Sequence, residues 1–105
     1  MNIIVLVVAK NEREAKKISN KLLEKKLIAC CNIIKGVKSF FWWQGKVDSA
    51  SEVLMVLKTK RVLFQKIVKL VKKLHSYETP EIIALPIIAG DKNYLKWINA
   101  SVGAQ

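Results

Sequence analysis

His75 is the only histidine of the chain, and Tyr77, Glu78 and Glu81 follow it within six residues in the stretch LHSYETPEIIALP, Leu74–Pro86. A neutral imidazole nitrogen suits copper, zinc or nickel. A carboxylate close by could add an oxygen ligand or do acid–base work. One histidine is too few for a tight metal site, so further donors would have to come from a neighbouring copy. Proton competition at the imidazole predicts binding that weakens below about pH 6. A plainer reading stands beside this one. A histidine closing a helix caps the last carbonyls and suits the helix dipole, while Glu78 and Glu81 simply flank a strand start around Pro80.

Cys30 and Cys31 are adjacent. Bridging neighbours strains the peptide between them, and on a strand the two point to opposite faces. Reduced thiols are expected, each a small hydrophobe where buried or a soft metal ligand where exposed. There is no C-x-x-C, zinc-ligand spacing, phosphate-cradling glycine loop or nucleophile beside a recognisable base, so catalysis is not expected. Phe40, Phe41, Trp42 and Trp43 form a run of four aromatics. On a strand two face each way, for core or interface packing or for a pocket wall.

These residues need elements to position them. The chain has 105 residues, half of them hydrophobic, which suits a single domain over residues 1–105. The longest apolar runs are far too short to span a bilayer, and with no export signal a cytoplasmic location is the default. Ile3–Ala9 reads as a strand buried on both faces. Asn11 and Glu14 form a capping-box pattern opening an amphipathic helix to about Lys26. Leu27–Ile34 and Val37–Trp43 make one long strand with a bend or bulge at Lys35-Gly36. QGKVDSAS is turn-like, and Glu52–Lys58 is the next strand of a long hairpin. Thr59 offers a cap for a helix whose apolar stripe is Leu63, Ile67, Leu70 or Val71, and Leu74. Ile82–Ile88 is a strand in which Pro86 marks a sheet edge or a bulge. Gly90-Asp91 starts a last helix with Tyr94, Leu95 and Ile98 on one side.

The order β-α-β-β-α-β-α predicts an α+β fold: a ferredoxin-like βαββαβ sandwich with an additional C-terminal helix and a long hairpin between the second and third strands. Two helices would cover one sheet face. The strands are apolar on the other face too, and a bare apolar face of that size predicts oligomerisation through the sheet.

Net charge is +11, with 17 lysines and two arginines. Twelve of the 19 basic residues lie in Arg13–Lys26 and Lys60–Lys73. Such charge raises nucleic acid as a partner, but a solvated helix face is the simpler account, and nucleic acid is not the expected partner. RNA-recognition motifs share the βαββαβ order, but they stack bases on aromatics of the first and third strands. Here those strands read IIVLVVA and EVLMVLK, which argues against that mode.

Four blocks in order, ACCNIIKGVKSFFWWQGKV, EVLMVLKT, LHSYETPEIIALPI and GDKNYLKWINASV, resemble the CutA family of divalent-ion-tolerance proteins over nearly the whole chain. The resemblance implies a ferredoxin-like homotrimer in which hairpin and sheet edges pair with neighbours, a role in tolerance to divalent metals, and binding of copper or a similar ion. It makes His75, Glu78 and Cys30 the candidate metal residues. Trp43, Lys58 and Tyr77 sit at family-matched positions as candidate walls of an intersubunit cleft for a metal complex or small anion. The chain departs from the family pattern at Ser76, where proline is common, at Leu74, where some members have a second histidine, and in the turn AKNERE, where some bacterial members have a cysteine. A copper site made of that cysteine and a histidine pair could not form here. A small-anion-sensing regulatory trimer is the alternative, by fold analogy.

Overall fold

A computed structural model describes residues 1–103. Strand β1 (Asn2–Ala9) leads into helix α1 (Glu12–Glu24), then β2 (Cys30–Trp43), β3 (Lys46–Lys60), a 3-10 turn (Arg61–Leu63), α2 (Phe64–Leu74), β4 (Ile82–Pro86) and α3 (Lys92–Ser101). The four strands form one antiparallel sheet in the order β2-β3-β1-β4. This is the ferredoxin-like α+β arrangement with an added C-terminal helix.

The side-chain alternation of β1 decides where the core lies. Ile3, Val5, Val7 and Ala9 are buried, whereas the residues between them are only half-buried. The expectation of a strand buried on both faces is therefore not met within one chain. On the buried side Met55 and Leu57 of β3 meet Ala15, Ile18 and Leu22 of α1 and Ile67 and Val71 of α2. Burial of this apolar stripe, at about 25 cal/mol per Å², is the main source of stability.

The local signals of α1 work as their chemistry requires. The Asn11 side-chain oxygen Oδ1 accepts from the Glu14 amide at 2.8 Å. Glu14 reaches back one residue beyond the usual partner, accepting from the Lys10 amide at 2.9 Å. Asp91 caps α3 in the same way through the Tyr94 amide.

Two expectations are corrected. The connection between β2 and β3 is only Gln44-Gly45, not the eight residues of QGKVDSAS. Both carry positive φ, 52° and 79°, the tight hairpin turn that matches the twist of its strands. Thr59 is not a helix cap. It is buried in β3, where its hydroxyl donates to the Leu27 carbonyl at 2.6 Å. The register shift between Ile34 and Val37 does fall at Lys35-Gly36, and Gly36 takes φ +77°. Pro86 lies on the edge strand β4.

β1 accompanies β3 only from Val53 to Lys60. The remaining hairpin, Val37–Glu52, runs on as a two-stranded ribbon of roughly 23 Å. It stretches the molecule to 44 × 26 × 21 Å and carries Phe40 and Trp42 about three-quarters exposed. On the sheet face away from α1 and α2, α3 covers one end: Ile98 is buried and Asn99 accepts from Asn2 at 3.0 Å. That face is thus not wholly without a helix, as the sequence suggested. Beyond α3, Ile34, Ile83 and Leu85 remain about half exposed.

Candidate functional site

His75 closes α2. Its backbone amide donates to the Val71 carbonyl, and its ring is enclosed. Nε2 lies 2.7 Å from the Val8 carbonyl oxygen. A carbonyl only accepts, so Nε2 carries the hydrogen. The remaining lone pair, on Nδ1, accepts from the Tyr77 amide at 3.0 Å. Both ring nitrogens are thereby engaged within the chain, and none is left to point at a metal. The histidine pins the loop between α2 and β4 to the end of β1.

Glu14 joins the same junction. One carboxylate oxygen accepts from the Ser76 amide at 2.8 Å, and the other lies 3.8 Å from His75 Nε2. Burial tends to raise its pKa, but hydrogen bonds from Ser76 and Lys10 and the nearby imidazole outweigh that and hold it below the ordinary 4.5. The Tyr77 hydroxyl reaches the opposite way, donating to Glu52 at 2.7 Å. Glu52 is buried where the ribbon leaves the sheet. Burial, and then the Glu52 carboxylate, push the Tyr77 phenol up to about 12. One chain of contacts therefore runs from the start of α1 through the loop to the base of the hairpin.

Glu14 was legible only as a helix-capping residue. Glu52 had a weak signal, a lone acid opening an apolar strand. Of the predicted site residues, Tyr77 belongs to this junction with His75, and their rings lie 4.9 Å apart. Glu78 and Glu81 are exposed.

The other candidates lie elsewhere. Cys30 pairs with Lys58, and Lys58 with Ile4, on the sheet face that carries α3. The Cys30 sulfur is 3.7 Å from the Tyr94 hydroxyl, and the Lys58 ammonium donates to Asn32. Ile4 is four residues along β1 from Val8, a separation of ~13 Å. Cys31 faces the core beside Leu57, where burial pushes its thiol up to about 11. Trp43 stands at the ribbon tip opposite Lys46, six residues from Glu52 along β3, or ~20 Å. Trp43, Lys58 and Tyr77 do not meet within one chain, nor do His75, Glu78 and Cys30. Among the described residues no three His, Cys, Asp or Glu side chains gather closely enough to hold a metal ion.

Two concavities lie on the surface of the described residues. A groove of about 810 Å³ along the β4 edge is lined by Ile3, Arg61, Phe64, Ala84 and Pro86, and contains none of the candidates. A smaller one of about 190 Å³ lies between Arg13, Glu14, Lys17 and Leu74, beside the His75 junction.

A family model described as CutA1 divalent ion tolerance protein matches residues 3–101. The divalent-cation tolerance protein CutA of Archaeoglobus fulgidus is 45% identical over 102 residues, covering 97% of this chain and 99% of its own length. A solved structure of the A. fulgidus protein, described as periplasmic, superposes with a TM-score of 0.95, covering 98% of this chain and 100% of its own. The Thermus thermophilus structure is 41% identical, with a TM-score of 0.96 and the same coverages. The chloroplastic CutA of Arabidopsis thaliana is 41% identical over 100 residues, 95% of this chain, and the chain spans only 55% of that relative's length.

These locations overturn the expectation of a cytoplasmic protein, since relatives of the same fold are described as periplasmic and chloroplastic. Cellular address is read from targeting segments, not from the pattern that builds a domain. The family model, the sequence identities and the superpositions agree over nearly the whole length, and the chain belongs to the CutA1 divalent ion tolerance family.

Proposed function

We propose that this chain is a single-domain, non-catalytic protein of divalent-cation tolerance that acts as a homotrimer, with a ligand cleft built between copies. One observation carries the reading. The candidate donors and cleft residues are dispersed within one chain, while the half-exposed sheet face and the aromatic ribbon are left without partners. A ribbon of roughly 23 Å is long enough to lay Trp43 against a neighbour's Lys58 or Tyr77. The donor set of one chain does not fit a transition metal. Cys30 supplies a soft thiolate and the exposed Glu78 a carboxylate. His75 joins them only by releasing the Tyr77 amide from Nδ1.

Lys58 beside Asn32 also favours a small anion as the cleft's ligand, which is the second reading.

Light scattering on the purified chain tests assembly: a mass of three chains is expected, and a mass of one chain overturns the reading. Calorimetry with copper, zinc and cadmium on wild type, Cys30→Ser and Glu78→Gln tests the cation. Heats that are undetectable, or unchanged in both variants, would remove the metal site and leave the anion.

A further inference from the structure

We propose that the outer surface of the α1–α2 layer docks double-helical nucleic acid through its phosphates, without reading bases. The stretches 12–26 and 61–73 carry eleven basic residues against three acidic ones. They form one continuous face, because α1 and α2 pack side by side on the same side of the sheet. Glu12 and Glu24 are already paired with Lys16 and Lys21, and Glu14 is turned inward to Ser76. Between Arg61 and Lys73 there is no acidic residue at all.

A surface serving solubility alone intersperses both signs. Here Lys69 has Lys66 and Lys72 three residues away and Lys73 four away, spacings at which like charges repel. The helix dipole favours Lys72 and Lys73 at the C-terminal end of α2, whereas Arg61 lies outside the helix, in the 3-10 turn before it. Among the described residues Arg13, Lys17, Lys69, Lys72 and Lys73 form no ion pair.

The chemistry of the face selects the polyanion. Lysine dominates, and lysine meets phosphate as a point charge without the bidentate geometry that reads bases. The solvent side of α2 presents Gln65, Lys66, Lys69, Lys72 and Lys73, with no exposed aromatic for stacking single-stranded bases. The solvent side of α2 also lacks the exposed Trp, Phe or Leu with which interfacial helices enter lipid; Leu23 on α1 and Val62 before α2 are isolated exposed apolar residues, not an apolar stripe. Two antiparallel helices ~10 Å apart set two rows of cations at a spacing close to the width of a duplex groove.

The test is fluorescence anisotropy with a short mixed-sequence DNA duplex. Wild type is compared with the triple variant Lys69→Gln/Lys72→Gln/Lys73→Gln and with the control Lys10→Gln/Lys92→Gln/Lys96→Gln, which loses the same charge from exposed positions off the ribbon and outside the two helical stretches. Binding is expected to fall with salt at a log–log slope equivalent to about four to six phosphates. It should weaken about tenfold or more in the helix variant and less than about threefold in the control. No binding at about 50 mM salt, or equal losses in the two variants, overturns the proposal. Tighter binding to phosphatidylserine-containing vesicles than to the duplex overturns it in favour of a membrane surface.

Discussion

Replacing His75 by alanine deletes two part-buried hydrogen bonds at once. The Val8 carbonyl loses its donor at 2.7 Å and the Tyr77 amide loses its acceptor at 3.0 Å. Each backbone group left unsatisfied out of water costs about 1–3 kcal/mol. Loss of the ring that packs 4.9 Å from Tyr77 adds to this, so about 3–5 kcal/mol is expected in all. For a chain of this size the midpoint of thermal unfolding should then fall by at least ~12 °C. The assay is guanidinium unfolding at fixed protein concentration with a chelator present, so that neither assembly nor metal shifts the comparison. Two conservative variants sharpen it. His75→Gln places an amide nitrogen where Nε2 stood and keeps the donor to Val8. His75→Asn places an oxygen where Nδ1 stood and keeps the acceptor for Tyr77. Both should fall between wild type and alanine. If His75→Ala in chelator lies within about 1 kcal/mol of wild type, the ring is not held for its hydrogen bonds, and its role would have to be ligation.

Three further outcomes follow from the same junction and its neighbours. Glu14 has a lowered pKa in the folded state, so its contribution to stability is present above its ordinary 4.5 and lost as pH falls through the folded value. Wild type should therefore lose stability more steeply than Glu14→Gln between about pH 5 and pH 3, and identical acid limbs would refute the assignment. Tyr77 has a raised pKa, so its contribution is present below about 10 and lost as pH rises toward 12. Ultraviolet titration should show Tyr77→Phe losing the ionisation nearest pH 12, and the variant should be about 1–3 kcal/mol less stable because Glu52 loses its donor. Cys31, pushed up to about 11, should stay unreactive toward a thiol reagent at about pH 8, so no more than one thiol per native chain should react; two would place Cys31 outside the core.

The order of elements was legible because it rests on local signals. The β-branched run of β1, the Asn11 cap, the stripe of Ile67 and Val71, and Pro86 at an edge each act within a few residues. The ribbon's second strand was read as a turn because both of its faces meet solvent there. Lys46–Ser51 consequently lacks the alternation that a half-buried strand displays. Thr59 has a capping side chain, but β3 continues through it into the 3-10 turn, and its hydroxyl is taken by Leu27, 32 residues away. The site was harder to read for a related reason. The partners of His75 are a backbone carbonyl 67 residues away and an amide two residues on, and neither leaves a mark in residue type. The bond between Tyr77 and Glu52 is tertiary and needs the sheet to exist first.

The ribbon also has a consequence for the newly made chain. Its contacts are local, and a hairpin forms in about 1–10 µs. Phe40–Trp43 can thus be displayed as an ordered strand before the rest of the sheet has docked. An exposed aromatic strand with free edges is a template for misassembly. Lys38 on one side of the aromatic run and Lys46 and Asp48 on the facing strand interrupt it with charge. In this respect they are gatekeepers, which let the chain carry a sticky arm in solution without pairing edge to edge.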